Sequence, residues 1–233
     1  MRSLLTGVVV LAAVAWPHPS AAQSPDLASP AQVVRTTRRP PRPVRLRAYV
    51  FYESTSLRAT RTFEGLFDTT RTKGLGVGGE VLGLWRGVFA RGAWSKATLE
   101  DGSRGFVIDD RLYLTNVPVT VEIAPFEVGV GWREPIDQAG RFAAYGGMSL
   151  LKVRYSESAE FATSDEQIET TETGYALFAG VDAILWRQIF AGVEVQRRTI
   201  ADALGQDPDS VSGAFGETDL GGTVFRVLGG IRW

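Results

Sequence analysis

The sequence contains no cysteine, which excludes disulfides, thiol chemistry and thiolate metal sites. Its one histidine is His18, inside a stretch expected to be removed on export, so the mature chain is expected to have no imidazole base. After residue 22 there is no long apolar run, and no segment reads as a transmembrane helix. The formal net charge is only −1, and nothing in its distribution points to nucleic acid. Glycine, by contrast, is abundant at 26 residues, and aromatics make up 10%. With β-branched residues also common, the composition favours an all-β chain.

Two segments precede the body of the chain. Arg2, the apolar stretch Leu4 to Ala15, Pro17 and the small residues Ser20-Ala21-Ala22 make residues 1–22 a secretory signal peptide. No cysteine follows the cleavage site, so a lipid-anchored form is excluded. Residues 23–43 contain "SPDLASPAQ" and "RRPPRP" and read as an extended Pro/Arg-rich linker. Between Gln23 and Arg47 there are six arginines and one acid, so the remainder of the mature chain is acidic. The cluster reads either as a solvated tether or as a contact to a membrane surface or acidic partner.

From Val44 onward, eight segments alternate with period two, the mark of strands with two different faces. The first is "VRLRAYVFYE", the last "TVFRVLGGIRW". The fourth, "VTVEIAPFEVGVGW", changes phase between Ile123 and Phe126, which predicts a β-bulge at Ala124-Pro125. Three connections are short: near Arg86-Gly87, "REPIDQAG", and near Arg187-Gln188. Four are long and polar: about 54–73, 98–118, 156–173 and 201–221. Short turns at one end and long loops at the other are the pattern of an eight-stranded antiparallel up-and-down transmembrane β-barrel. "LWRGVFARG" at 84–92 recurs as "LWRQIFAGV" at 185–193, one hairpin solution used twice.

Tryptophan and charge decide which face meets what. Trp85, Trp132, Trp186 and Trp233 end the even-numbered strands and should form an interface girdle at one rim. Trp186 is out of phase with its strand's apolar set and is assigned to the turn. On the opposite face, Arg47, Glu80, Arg91, Glu127, Lys152, Asp182, Glu194 and Arg226 fall one per strand, four basic and four acidic. Matched signs predict a paired luminal network, since an unpaired charge inside a barrel is costly. A soluble barrel with this face outward is the competing reading.

The closing run "FRVLGGIRW", with its alternating apolar residues and terminal aromatic, resembles the C-terminal signal strand of bacterial outer-membrane barrels. Over residues 44–233 the chain looks like the small outer-membrane β-barrel family that includes the OmpA-type membrane domain. The resemblance is one of architecture, and Trp233 stands where phenylalanine is more usual. It implies an outer-membrane location in contact with lipid, a periplasmic linker, insertion by the barrel assembly machinery, and no room for a periplasmic peptidoglycan-binding domain.

Catalysis finds little support. There is no "GxSxG" elbow and no mature histidine to act as base. Glu80 and Glu127 could face each other across the lumen, but arginines nearby make salt bridges the simpler arrangement. The acidic stretch "SESAEFATSDEQIETTE" and "GQDPDSVSG" do not fit a calcium loop, so no metal or cofactor is expected. "TFEGLF", with Phe63, Leu66 and Phe67, is expected at the barrel rim or mouth. Eight strands leave an interior just wide enough for side chains, which Phe51, Leu82, Phe178 and Phe190 help to fill. Inward glycines (Gly129, Gly131, Gly180, Gly192) leave open a narrow path. The expectation is therefore a closed structural or surface-interaction barrel with an unidentified loop ligand. The alternative is a narrow channel or small apolar-ligand transporter of the same fold.

Overall fold

A computed structural model of the chain describes residues 44–109, 111–159, 168–204 and 210–233. The expected signal peptide and linker lie outside these, as do Glu160, Asp165, Glu166, Asp207 and Asp209 of the acidic loops. Among the described residues eight strands run in chain order: β1 (Arg45–Leu57), β2 (Arg71–Trp85), β3 (Val88–Ile108), β4 (Arg111–Pro135), β5 (Phe142–Ala159), β6 (Ile168–Trp186), β7 (Ile189–Thr199) and β8 (Gly222–Arg232). Each pairs antiparallel with its sequence neighbours, and β8 pairs with β1, closing an all-β barrel. Trp233 exchanges both backbone hydrogen bonds with Leu46 at 3.1 Å. Closure leaves no open sheet edge in the apolar region, which a barrel in lipid requires.

The long connections are more ordered than their polar composition suggests. The first contains a helix, α1 (Thr60–Phe67). The second is no loop: β3 and β4 extend as a hairpin out to Ile108 and Arg111. The fourth carries a single helical turn, α2 (Val211–Ala214). Polar residues do not exclude strand here, because beyond the barrel's apolar belt a strand no longer needs an apolar outer face.

The expected bulge at Ala124-Pro125 is absent. β4 pairs with β5 residue for residue through Ile123↔Tyr155, Ala124↔Arg154, Pro125↔Val153 and Phe126↔Lys152. What changes is the environment. Val119, Val121 and Ile123 point inward and are buried, whereas Phe126, Val128, Val130 and Trp132 point outward and are exposed. The apolar residues swap faces along one unbroken strand.

The same crossover recurs around the barrel. From the turns up to the level of Tyr52 and Tyr175 the exterior is apolar: Val50 is 64% exposed, Leu75 70% and Leu150 72%. Near the loops the exterior turns polar at Lys73, Lys96, Lys152 and Arg197. There the interior becomes an apolar core of Leu57, Phe63, Leu99, Val121, Val153 and Leu220 among others. α1 caps this core with Phe63. Glu217 holds the helix start, its carboxylate accepting the N–H groups of Arg61 and Thr62 at 3.1 and 2.8 Å. The second short connection is closed by Asp137, whose carboxylate accepts the N–H groups of Phe142 and Arg141 at 2.7 and 3.1 Å. Those bonds hold it below the usual carboxylate range.

Candidate functional site: a charged interior and an apolar belt

Alternation carries one charged face of the strands into the barrel below the apolar core. Arg47, Glu80, Arg91, Glu127, Asp182, Glu194 and Arg226 are all buried there. They form two separate clusters. Toward the turns, Arg47 Nη1 donates to Glu80 Oε2 at 2.9 Å and to Asp182 Oδ2 at 3.1 Å. Arg133 also pairs with Asp182. Above it, Arg91 binds Glu194 at 2.6 Å and pairs with Glu127. Arg226 reaches Glu127 at 2.7 Å and Glu53 at 3.0 Å, and Arg198 reaches Glu53 at 2.9 Å. Ser95 and Gln196 donate to Glu53 and Glu194, both at 2.8 Å. Glu80 and Glu127 do not face each other as a carboxylate pair, because each is held by different arginines.

Each cluster is neutral: two arginines with two carboxylates, then three with three, among the described residues. Arginine suits this role because its planar guanidinium meets carboxylates at the edge and aromatic rings on the face. The guanidinium carbons lie 3.4 Å from the Phe190 ring centre for Arg47, 4.0 Å from Phe178 for Arg91 and 4.1 Å from Phe51 for Arg226. Space for the rings comes from facing glycines. A Cβ on Gly131 would lie 2.6 Å from Phe89, and one on Gly180 2.5 Å from Tyr145. The room beside those two glycines is occupied by the rings of Phe89 and Tyr145. A pocket of about 20 Å³, lined by Glu53, Thr55, Thr72, Arg198 and neighbours, has room for about one water.

One expected member of the network is misplaced. Lys152 is exposed on the outer face, while its neighbours Leu151 and Val153 point inward. β5 carries apolar residues on both faces at this height, so hydrophobicity could not reveal the parity there. Glu53, Arg198 and Arg133 were missed. Glu53 shares parity with Arg47 but ended the strand as read. Arg198 shares parity with Glu194, and Arg133 opens the segment "REPIDQAG", whose composition is that of a turn.

Outside, the apolar belt ends in aromatics at both heights. Trp85, Trp132, Trp186 and Trp233 are exposed at the turn end. Trp186 is not in the turn itself: a register shift after Ile184 pairs it with Ile189, and Trp85 meets Val88 after the matching shift in β2. At the loop end Tyr52, Trp94, Phe126, Tyr175 and Phe225 are exposed. β2 crosses the belt from Leu75 to Trp85, the length a tilted strand needs to span a bilayer, about 9–11 residues. An exterior this apolar, around an interior this charged, is the arrangement of a barrel whose solvent is lipid.

No protein-family model matches the chain, and no curated protein matches it. Among solved structures it is similar to the attachment invasion locus protein Ail of Yersinia pestis, crystallised with the heparin analogue sucrose octasulfate: TM-score 0.48, 11% identity, 82% of this chain and 99% of that one. It is also similar to Neisserial surface protein A, at TM-score 0.47 and 10% identity over 81% of this chain and 95% of that one. The N-terminal β-barrel domain of Pseudomonas aeruginosa OprF gives TM-score 0.42 and 11% identity, over 81% and 97%. Likeness at this level does not extend to ligand or partner.

Proposed function

We propose that this protein is an integral β-barrel of the bacterial outer membrane, closed to solutes, with a structural or surface-interaction role exercised through its loop end. The observation that carries this reading is the filled interior. Two neutral ion-pair clusters, the rings packed on them and the apolar core under α1 occupy the lumen in sequence. Opening a path would strand buried charges, at several kcal/mol each (roughly 3–5 per broken pair). Export through residues 1–22, and recognition of β8 by the barrel assembly machinery, belong to the same proposal. The exposed run Phe225, Val227, Ile231 and Trp233 is what such recognition would read.

The test is electrophoretic mobility of the detergent-folded protein, heated and unheated, beside its conductance in a planar bilayer. A heat-dependent shift without current is expected. Discrete current steps would replace the closed barrel with a narrow channel. Solubility without detergent and no heat-dependent shift would refute the membrane reading.

A further inference from the structure

Six residues other than glycine hold a left-handed backbone among the described residues: Asp68, Asp101, Asp109, Asp202, Arg86 and Arg187. Aspartate tolerates this conformation because its short polar side chain hydrogen-bonds locally. Arginine has no such advantage. Yet Arg86 (φ 41°) and Arg187 (φ 33°) occupy equivalent places, each directly after a girdle tryptophan in a two-residue turn. Glycine, asparagine or aspartate at that position would hold the conformation with less strain. The repeated "LWR" is therefore unexplained by hairpin geometry, and its explanation has to lie in the side chain.

The guanidinium carbon of Arg86 lies 5.4 Å from the centre of the Trp85 ring, and the surroundings say what else meets these side chains. Arg45 at the start of β1 and Arg141 at the end of the second short connection are exposed at the same end. Arg45, Arg86, Arg141, Arg187 and Arg232 form no ion pair among the described residues. Arg232 donates to the carbonyl of Arg187 at 3.2 and 3.3 Å, which ties its guanidinium to the backbone of the turn between β6 and β7. Among the described residues the unburied acids at this end are Glu134 and Asp137, and Asp137 is engaged by the backbone of Arg141 and Phe142. Net positive charge therefore lies level with Trp85, Trp132, Trp186 and Trp233. Tryptophan marks the depth of lipid headgroups, and guanidinium is the side chain best matched to phosphate.

We propose that this arginine rim binds anionic phospholipid headgroups of the leaflet facing the short turns, through their phosphodiesters. The proposal rests on the membrane reading above. Guanidiniums without a carboxylate partner and phosphate are complementary in charge. The tryptophans place acyl chains beside the same residues.

The test uses the girdle as reporter. The protein is reconstituted in phosphatidylcholine vesicles carrying brominated phosphatidylglycerol or, at equal mole fraction, brominated phosphatidylcholine, and tryptophan quenching is followed. Phosphatidylglycerol is expected to be preferred roughly fivefold at low salt. The preference should fall to near parity in the variant Arg86→Gln/Arg141→Gln/Arg187→Gln, and in the unmodified protein at about 0.5 M salt. Lys73→Gln/Lys152→Gln, at the opposite rim, should retain it. Equal quenching by both lipids in the unmodified protein overturns the proposal and leaves the membrane reading standing. So does a preference that survives the arginine variant or is lost with the lysine variant. Should the arginine variant not fold, a preference indifferent to salt overturns it instead. Quenching by neither lipid overturns both.

Discussion

Arg47 is the residue on which the turn-end cluster depends. Asp182 has a second partner in Arg133, but Glu80 has only Arg47 among the described residues. Arg47→Ala would leave a buried carboxylate uncompensated, and we expect a loss of about 3–5 kcal/mol in urea unfolding of the vesicle-folded protein. Arg47→Met/Glu80→Leu removes both charges and should recover most of that loss. A double variant as unstable as the single one would mean that shape, not charge pairing, holds the cluster. At this scale the sequence was informative wherever alternation was clean. Arg47 and Glu80 stand opposite each other across the β1–β2 ladder, on faces legible from parity alone. Lys152 was not legible, because its strand is apolar on both sides. Arg133 was not, because nothing in "WREP" tells strand from turn.

The elements that sequence alone described least well are those on the loop side. "TFEGLF" carries too few apolar residues to announce a helix. α1 stands because its apolar side has a core to cover and its first turn has a borrowed cap. That cap is Glu217, from the connection between β7 and β8. The carboxylate satisfies two N–H groups and the Thr62 hydroxyl, the last at 3.0 Å. Such long-range pairing leaves no local pattern in the sequence. Arg58 pairs with Asp219 from the same connection, and Arg61 lies 4.2 Å over Phe215, so the first and last long connections act together. Glu217→Ala should cost about 1–2 kcal/mol, as lost caps do. Trypsin should then cut at Arg58 or Arg61 several times faster, with the heat-dependent shift of the barrel unchanged. Unaltered cleavage would show that the ion pair and the buried Phe63 hold α1 without the cap.

As a whole, the molecule stacks two kinds of barrel on one set of strands. The turn-end part is apolar outside and charged inside. The loop-end part is polar outside and apolar inside, like a soluble barrel. Period-two alternation runs through both, so eight strands and their closure were legible in the sequence. The stacking itself was visible as a phase change between Ile123 and Phe126, but a bulge explains such a slip equally well on paper. Only the register to β5 distinguishes a slipped strand from a straight strand leaving lipid. The chain's lack of cysteine makes the boundary measurable with single introduced thiols. Val128→Cys and Leu150→Cys should resist a water-soluble maleimide in vesicles, because their outward side chains meet hydrocarbon. Glu122→Cys and Lys152→Cys, a few residues further along the same outer faces, should react within the time of an exposed control. Both sets should react once the protein is unfolded in urea, which verifies that the thiols are competent. Reaction at Val128 as fast as at Glu122 would mean that no lipid boundary lies between them, and the face swap in β4 would need a cause other than the bilayer.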